Sequence, residues 1–256
     1  MDDPPDNTDV LDRTWVPLIT CEHGGNRVPV HYGALFARRR RVLTTHRAYD
    51  RGALELARRF AARLEAPRVT ATTTRLLIDL NRSPGHPHLF SEITAALESA
   101  ARRAIFRRYW TAYRRRVQSL IDPIVTGEGR VLHLSVHTFT PVLDGSPRRV
   151  DVGLLYDPSR PLERRFCQAW QKTLRLRRSD LRIRRNYPYR GTSDGLTSWL
   201  RDRHEPERYA GIELEVNQRW HRDGGSRWRR LQRDLVETFA ACWQGGATSG
   251  WPGHLQ

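Results

Sequence analysis

The chain has 256 residues, with 44 Lys+Arg against 28 Asp+Glu and a formal net charge of +16, enough length for one substantial domain. Its hydrophobic share is 38%, and no stretch approaches the ~20 apolar residues of a membrane span. The acidic, polar start is the reverse of a signal or transit peptide. Three scattered cysteines, Cys21, Cys167 and Cys242, offer neither a disulfide framework nor paired metal spacing, so a soluble, reduced, cytoplasmic protein is expected.

Residues 1–13 carry five Asp and two Pro without periodicity and read as a disordered leader. Apolar runs rich in Val, Ile, Leu and Thr and bounded by Gly, Pro or Asn then predict strands at Trp15–Cys21, Val69–Leu80 (in one or two pieces), Val131–Val136, Val150–Tyr156 and Ile212–Val216. Between them lie helical patterns. Arg51–Leu64 places Leu56, Ala57, Phe60 and Leu64 along one face. Ser91 is positioned to cap a long helix reaching about Ile121, with Pro123 beyond its end. Leu162–Leu176 and Arg227–Trp243 complete the set. In the last, Trp228, Leu231, Leu235, Phe239 and Trp243 recur at helical spacing and read as packing. The Gly-rich residues 244–256 read as a flexible tail. Alternating strands and helices without an internal linker predict a single α/β domain over 14–243, built on a mainly parallel sheet.

A sequence pI near 11.0 invites a nucleic-acid reading, because neutralising phosphates is the main source of such affinity. The cations argue against it. All but Lys172 are arginine, and they are spread along the chain in short runs such as Arg38–Arg41 and Arg114–Arg116 instead of one stripe. No recognised nucleic-acid-binding motif accompanies them.

Ligands of open α/β sheets bind outside the carboxyl ends of the strands, and the polar clusters fall there. Glu22-His23-Gly24-Gly25-Asn26 follows the first strand, Asp79-Leu80-Asn81-Arg82 follows the Thr-rich run, and His137-Thr138 follows Val131–Val136. In Ile212–Val216, Glu213 and Glu215 share one face opposite Ile212, Leu214 and Val216. A carboxylate inside a central strand is costly unless paired or used. Asp79 and Arg82 have a plain alternative as a structural ion pair. Two imidazoles and a carboxylate are the usual frame of a catalytic zinc site, with a nearby Glu to take the proton from water. An Arg with an amide neighbour grips a substrate carboxylate through its planar fork. The strand ends thus suggest metal-assisted hydrolysis of an anionic amide.

CEHGGNRVP, AYDRGA, TRLLIDLNRS, SVHTFTP, DVGLLYD, NYPYRGTSDG and GIELEVNQ occur in this order and resemble the N-formylglutamate amidohydrolase family, itself similar in fold to the zinc carboxypeptidases and aspartoacylases. The resemblance covers roughly residues 15–240. It implies a three-layer sandwich around a mixed, mainly parallel sheet, and a zinc-dependent amidohydrolase of histidine catabolism acting on a small anionic N-acyl amino acid. By its motifs, His23 and His137 resemble the histidine ligands of the zinc. Asp50 in AYDRGA is the implied third ligand, with Glu22 held in reserve. The carboxypeptidase pattern has Glu where this chain has Asn26. Asn81 and Arg82 resemble the pair that binds a substrate carboxylate. Arg75 resembles a basic residue that binds substrate or polarises the scissile carbonyl, and Asn186 opens a loop that closes over the acyl or side-chain end. Glu215 falls at the position of the general base. Two other readings are an enzyme of the same fold acting on another N-acyl amino acid or small peptide, and an Arg-rich nucleic-acid-binding protein on a degenerate hydrolase fold, with Asn26 as the mark of lost catalysis.

Overall fold

The computed structural model describes residues 15–222 and 225–247. The expected leader and the end of the expected tail, from residue 248, lie outside the described residues. The six strands of the main sheet, in chain order, are β1 (Trp15–Cys21), β2 (Arg68–Thr70), β3 (Arg130–Phe139), β4 (Val152–Leu155), β5 (Ile183–Arg185) and β6 (Tyr209–Asn217). Their spatial order is β2-β1-β3-β6-β4-β5. All neighbours pair in parallel except β4 with β6, which is antiparallel. The sheet is therefore mixed and mainly parallel, as expected.

Alternation along the strands splits the interior into two layers. Ile19 and Cys21 of β1, Leu132, Leu134 and Val136 of β3, and Ile212, Leu214 and Val216 of β6 form one apolar cluster. It is closed by α1 (Ala53–Arg63), α4 (Pro161–Arg177) and α6 (Gly225–Ala247). In α1 the buried positions Ala53, Leu56, Ala57, Phe60 and Ala61 follow a 3.6-residue repeat. Trp228, Leu231, Leu235 and Phe239 of α6 are buried in the same cluster, and the helix runs to Ala247, past the residue 243 end expected for it. The second cluster covers the opposite face with α2 (Ser99–Ile105), α3 (Ala112–Thr126), α5 (Leu196–Arg201) and long connecting segments.

The departures from expectation have local causes. The run after Thr70 is not a strand. The Thr74 hydroxyl donates to the Ala48 carbonyl and Leu77 N–H bonds back to Thr74, turning the chain so that Leu76, Leu77 and Ile78 fill the second core as a loop. Ser91 caps no long helix, because its hydroxyl donates to the Leu76 carbonyl while accepting the Ile93 N–H. The long helix begins at Ser99, passes through a π-helical turn at Phe106–Thr111, and continues through Pro123 to Thr126. β5, only three residues long, has no sequence pattern of its own. The three cysteines are unpaired. Among the described residues no helix is long and apolar enough to cross a membrane.

Candidate active site

β1, β3 and β6 are parallel neighbours, so their carboxyl ends deliver their side chains to one edge. His137 of β3 pairs in register with Glu215 of β6, and Ser135 with Glu213. His23 follows β1 by two residues. Asp50 is drawn to it through its own N–H, bonded to the His23 carbonyl at 2.9 Å. The edge opens into a cavity of about 190 Å³ lined by His23, Asp50, His137, Glu213 and Glu215, with Arg75, Asn81, Arg82 and the 189–194 loop as further walls.

Three ligand-type atoms converge at its floor. The Nδ1 atoms of His137 and His23 lie 2.8 and 3.4 Å from Asp50 Oδ2, and one atom from each residue falls within 4.8 Å of the others. The outer nitrogen of each ring is held by a second carboxylate. His23 Nε2 is 2.7 Å from Asp79 Oδ1, and His137 Nε2 is 3.0 Å from Glu22 Oε2 and 2.9 Å from Ser135 Oγ. With the His23 proton on Nε2, where Asp79 accepts it, Nδ1 presents a lone pair, and this buried atom has no hydrogen-bond partner. Carboxylates behind the outer nitrogens fix ring orientation and tautomer in metal-binding histidines. Two imidazoles, one carboxylate and an orphaned Nδ1 fit a zinc-type site.

The electrostatics agree. Burial opposes a charge on His137, yet the Asp50 and Glu22 carboxylates outweigh it and raise the imidazole well above its ordinary range. Burial would also raise the Asp50 and Asp79 carboxyls. The two imidazoles reverse this at Asp50, and Arg75 with His23 reverse it at Asp79, holding both well below the usual carboxylate range. Such a floor favours positive charge between the rings.

Glu215 differs from all of these. Burial pushes its carboxyl up to about 8, with Asp50 and Glu213 adding to the rise and His137 working against it. Its Oε2 is buried and unpartnered. The neighbouring strand approaches without a side chain: a Cβ on Gly153, which faces Glu215 in register, would lie 1.9 Å from the Tyr187 carbonyl oxygen. Only glycine lets the 186–191 loop settle beside the carboxylate.

The remaining predicted residues separate. Asn81 Oδ1 accepts the Leu196 N–H at 2.7 Å, leaving its amide N–H groups for the cavity it lines. Among the described residues Arg82 makes no carboxylate pair. Its Nη1 donates to the Asp194 carbonyl at 2.9 Å, so the ion pair envisaged with Asp79 is not formed. Asp79 pairs instead with Arg75, through Nη2 at 2.7 Å and Nε at 3.1 Å. Asn186 is not a cavity residue. Its side-chain carbonyl accepts the N–H groups of Tyr156 and Gly191, shaping the loop that carries Tyr189 and Arg190 to the wall. Glu22 stands behind His137 with Tyr113 and Ser135, and Asn26 donates to the Leu43 carbonyl, so neither points into the converging group. Asp79 as the carboxylate behind His23 was missed, although its place in IDLNR was a visible signal.

Residues 17–221 match the N-formylglutamate amidohydrolase family. The chain belongs to this family. Among solved structures, the amidohydrolase-family chain is similar to the gene product Atu2144 from Agrobacterium tumefaciens, with 27% identity, 90% of each chain covered and a TM-score of 0.76. It shares its fold with N-formylglutamate amidohydrolase from Ralstonia eutropha JMP134, with 18% identity, 93% of this chain and 96% of that chain covered, and a TM-score of 0.68. No curated protein matches the sequence.

Proposed function

We propose that this amidohydrolase is zinc-dependent and cleaves the N-acyl amide of an acidic amino acid, with N-formyl-L-glutamate as the substrate of choice. The observation that carries the reading is the pairing of a converging His23–Asp50–His137 group with a buried, unpartnered Glu215 in one cavity. His23 Nδ1, His137 Nδ1 and an Asp50 carboxylate oxygen would hold the ion. Zinc bound there supplies an activated water, with a pKa near ~7, and polarises a carbonyl.

The protein's own groups do the rest. Glu215 takes the proton of the attacking water and returns it to the leaving amine, a role suited to a carboxyl that titrates near working pH. Arg82, committed to the chain through Nη1 alone, and the Asn81 amide bind the substrate's α-carboxylate. Arg75 is locked on Asp79 and keeps a positive edge toward the scissile carbonyl. The Arg190 side chain lines the same cavity and makes no ion pair among the described residues, which suits the second carboxylate of an acidic amino acid. Formate and glutamate are the products.

The test measures metal content and formate release together. One zinc per chain with turnover of N-formyl-L-glutamate supports the reading, and zinc without turnover overturns the substrate. Retained stoichiometric zinc in a His23→Ala/His137→Ala double variant would sink the ligand set.

A further inference from the structure

Arg114 is 2% exposed, and its surroundings do not explain it as an ordinary structural cation. Its guanidinium sits in the corner of two indoles set at 86° to each other, 4.9 Å from the Trp110 ring centroid and 4.9 Å from that of Trp199. Nε and Nη1 are buried with no hydrogen-bond partner. Burial draws the group down to about 10, against the opposing pull of Glu22 and Asp194. A buried cation without a carboxylate in contact is expensive. Sites that break a rule of local economy are where function is sought.

Its one side-chain hydrogen bond among the described residues gives the direction. Arg114 Nη2 donates to the Arg82 carbonyl at 3.3 Å, and Trp110 Nε1 donates to the same oxygen at 2.8 Å. Trp110 lies inside the π-helical turn and Arg114 just beyond it. A π-helical insertion shifts the angular phase of everything after it. Here it accompanies a helix face on which an indole N–H and a guanidinium meet one loop carbonyl. The Phe106 ring stacks on Trp110 at 4.7 Å and fixes the indole from the other side. The Arg82 segment is tied again by Ser83 N–H to Asp194 Oδ2 at 3.0 Å.

We propose that Trp110 and Arg114, set in phase by the π-helical turn, are positioning residues that lock the Arg82 backbone and thereby aim its guanidinium at the substrate carboxylate. This rests on Arg82 as the carboxylate anchor of the proposed reaction. Neither residue touches substrate. Two indoles set at 86° to each other hold the guanidinium from two directions, a fit to its planar shape that an ammonium cannot reproduce, and leave the donated N–H in place without a carboxylate that would compete for Arg82.

The test is a double-mutant cycle on the zinc-loaded enzyme with N-formyl-L-glutamate, using Arg114→Met, Arg82→Gln and the double variant. Arg114→Met is expected to raise KM about tenfold with kcat changed less than about threefold, while zinc content holds and Tm stays level or rises, since replacing an underpaired buried cation by an apolar side chain is often neutral or stabilising. In the Arg82→Gln background the same substitution is expected to add nothing to KM, because it acts through Arg82. A wild-type KM in Arg114→Met, or effects that simply multiply in the double variant, would overturn the proposal. Should Arg114→Met not fold, Trp110→Phe decides: it deletes the indole N–H but keeps an aromatic ring, and a KM rise of about fivefold supports the proposal while an unchanged KM refutes it. A wild-type enzyme that turns over no N-acyl amino acid would instead overturn the underlying reading of the site.

Discussion

Along β3, Leu132, Leu134 and Val136 enter one layer, while His133, Ser135 and His137 enter the other. On the first side they join the apolar cluster closed by α1, α4 and α6, where volume-conserving apolar exchanges are tolerated best. On the second, polar groups form an unbroken file. Thr20 Oγ1 meets His133 Nε2 at 2.8 Å, His133 Nδ1 meets the Tyr209 hydroxyl at 2.6 Å, and the Ser135 hydroxyl donates to Glu22 at 2.7 Å. The file reaches the cavity at His137 and Glu215. Both faces are equally buried, so burial does not mark the functional face. What marks it is a file of paired polar groups that ends, at the cavity, in His23 Nδ1 and Glu215 Oε2, both without a partner.

The contrast is broken most directly at Glu215. Glu215→Gln is expected to keep zinc at one per chain and lose kcat by about 10²–10⁴-fold, the usual worth of a positioned general base. An active variant with wild-type kcat would remove the base assignment.

Next come matched truncations on the two faces of β3. His137→Ala strips the counter-charge from buried Asp50 and Glu22 and is expected to lose zinc and about 3–5 kcal/mol of stability. Leu134→Ala is expected to cost about 2–5 kcal/mol with zinc and KM intact. Denaturant unfolding and metal analysis of the pair distinguish the faces, and a changed KM in Leu134→Ala would erase the distinction.

A smaller effect lies further down the file. Burial lowers the His133 imidazole to about 4 against its ordinary 6.5, with Glu22 pulling the other way. The folded chain keeps His133 neutral where the unfolded chain takes up a proton. Its contribution is therefore present above about pH 6.5, is lost as pH falls toward 4, and is complete in its loss below that. The change is on the order of 3 kcal/mol at about 1.4 kcal/mol per unit. Unfolding midpoints at pH 7 and pH 4.5 should separate less in His133→Gln than in the native chain, and equal separation would show that His133 does not titrate across this window.

The smallest effect belongs to the rim of the apolar face. Arg63 Nε lies 3.1 Å from Glu237 Oε1 across α1 and α6, with both side chains well exposed. Glu237→Gln is expected to shift stability by about 0.5 kcal/mol or less. A larger shift would mean that charge matters on the apolar side too.

The apolar face was the legible one. Leu56, Ala57 and Phe60 announced α1 by spacing alone, and Leu231, Leu235 and Phe239 did the same for α6. The polar face was legible only in part. His23 and His137 declared themselves because each follows an apolar run, and Glu215 because it interrupts one. The segment 71–98 misled because Leu76, Leu77 and Ile78 have the composition of a strand, while their backbone is committed to turns by the Thr74 and Ser91 hydroxyls. The partnership of Arg75 with Asp79 and the structural use of Asn186 were hidden for another reason. Both depend on where a loop turns a side chain, and no periodicity encodes that.

The register of β6 against β3 carries a consequence for how the chain polices its own folding. Side chains alternate with a period of two, so a slip of one residue would hand Leu214 or Val216 to His137 and drive Glu213 and Glu215 into the helices of the apolar layer. A sheet mispaired by one residue could not keep both the core and the carboxylate beside the two rings. Correct threading of the central strands and chemical competence are one condition, and a zinc ion bound to this chain would report that its sheet had closed in step.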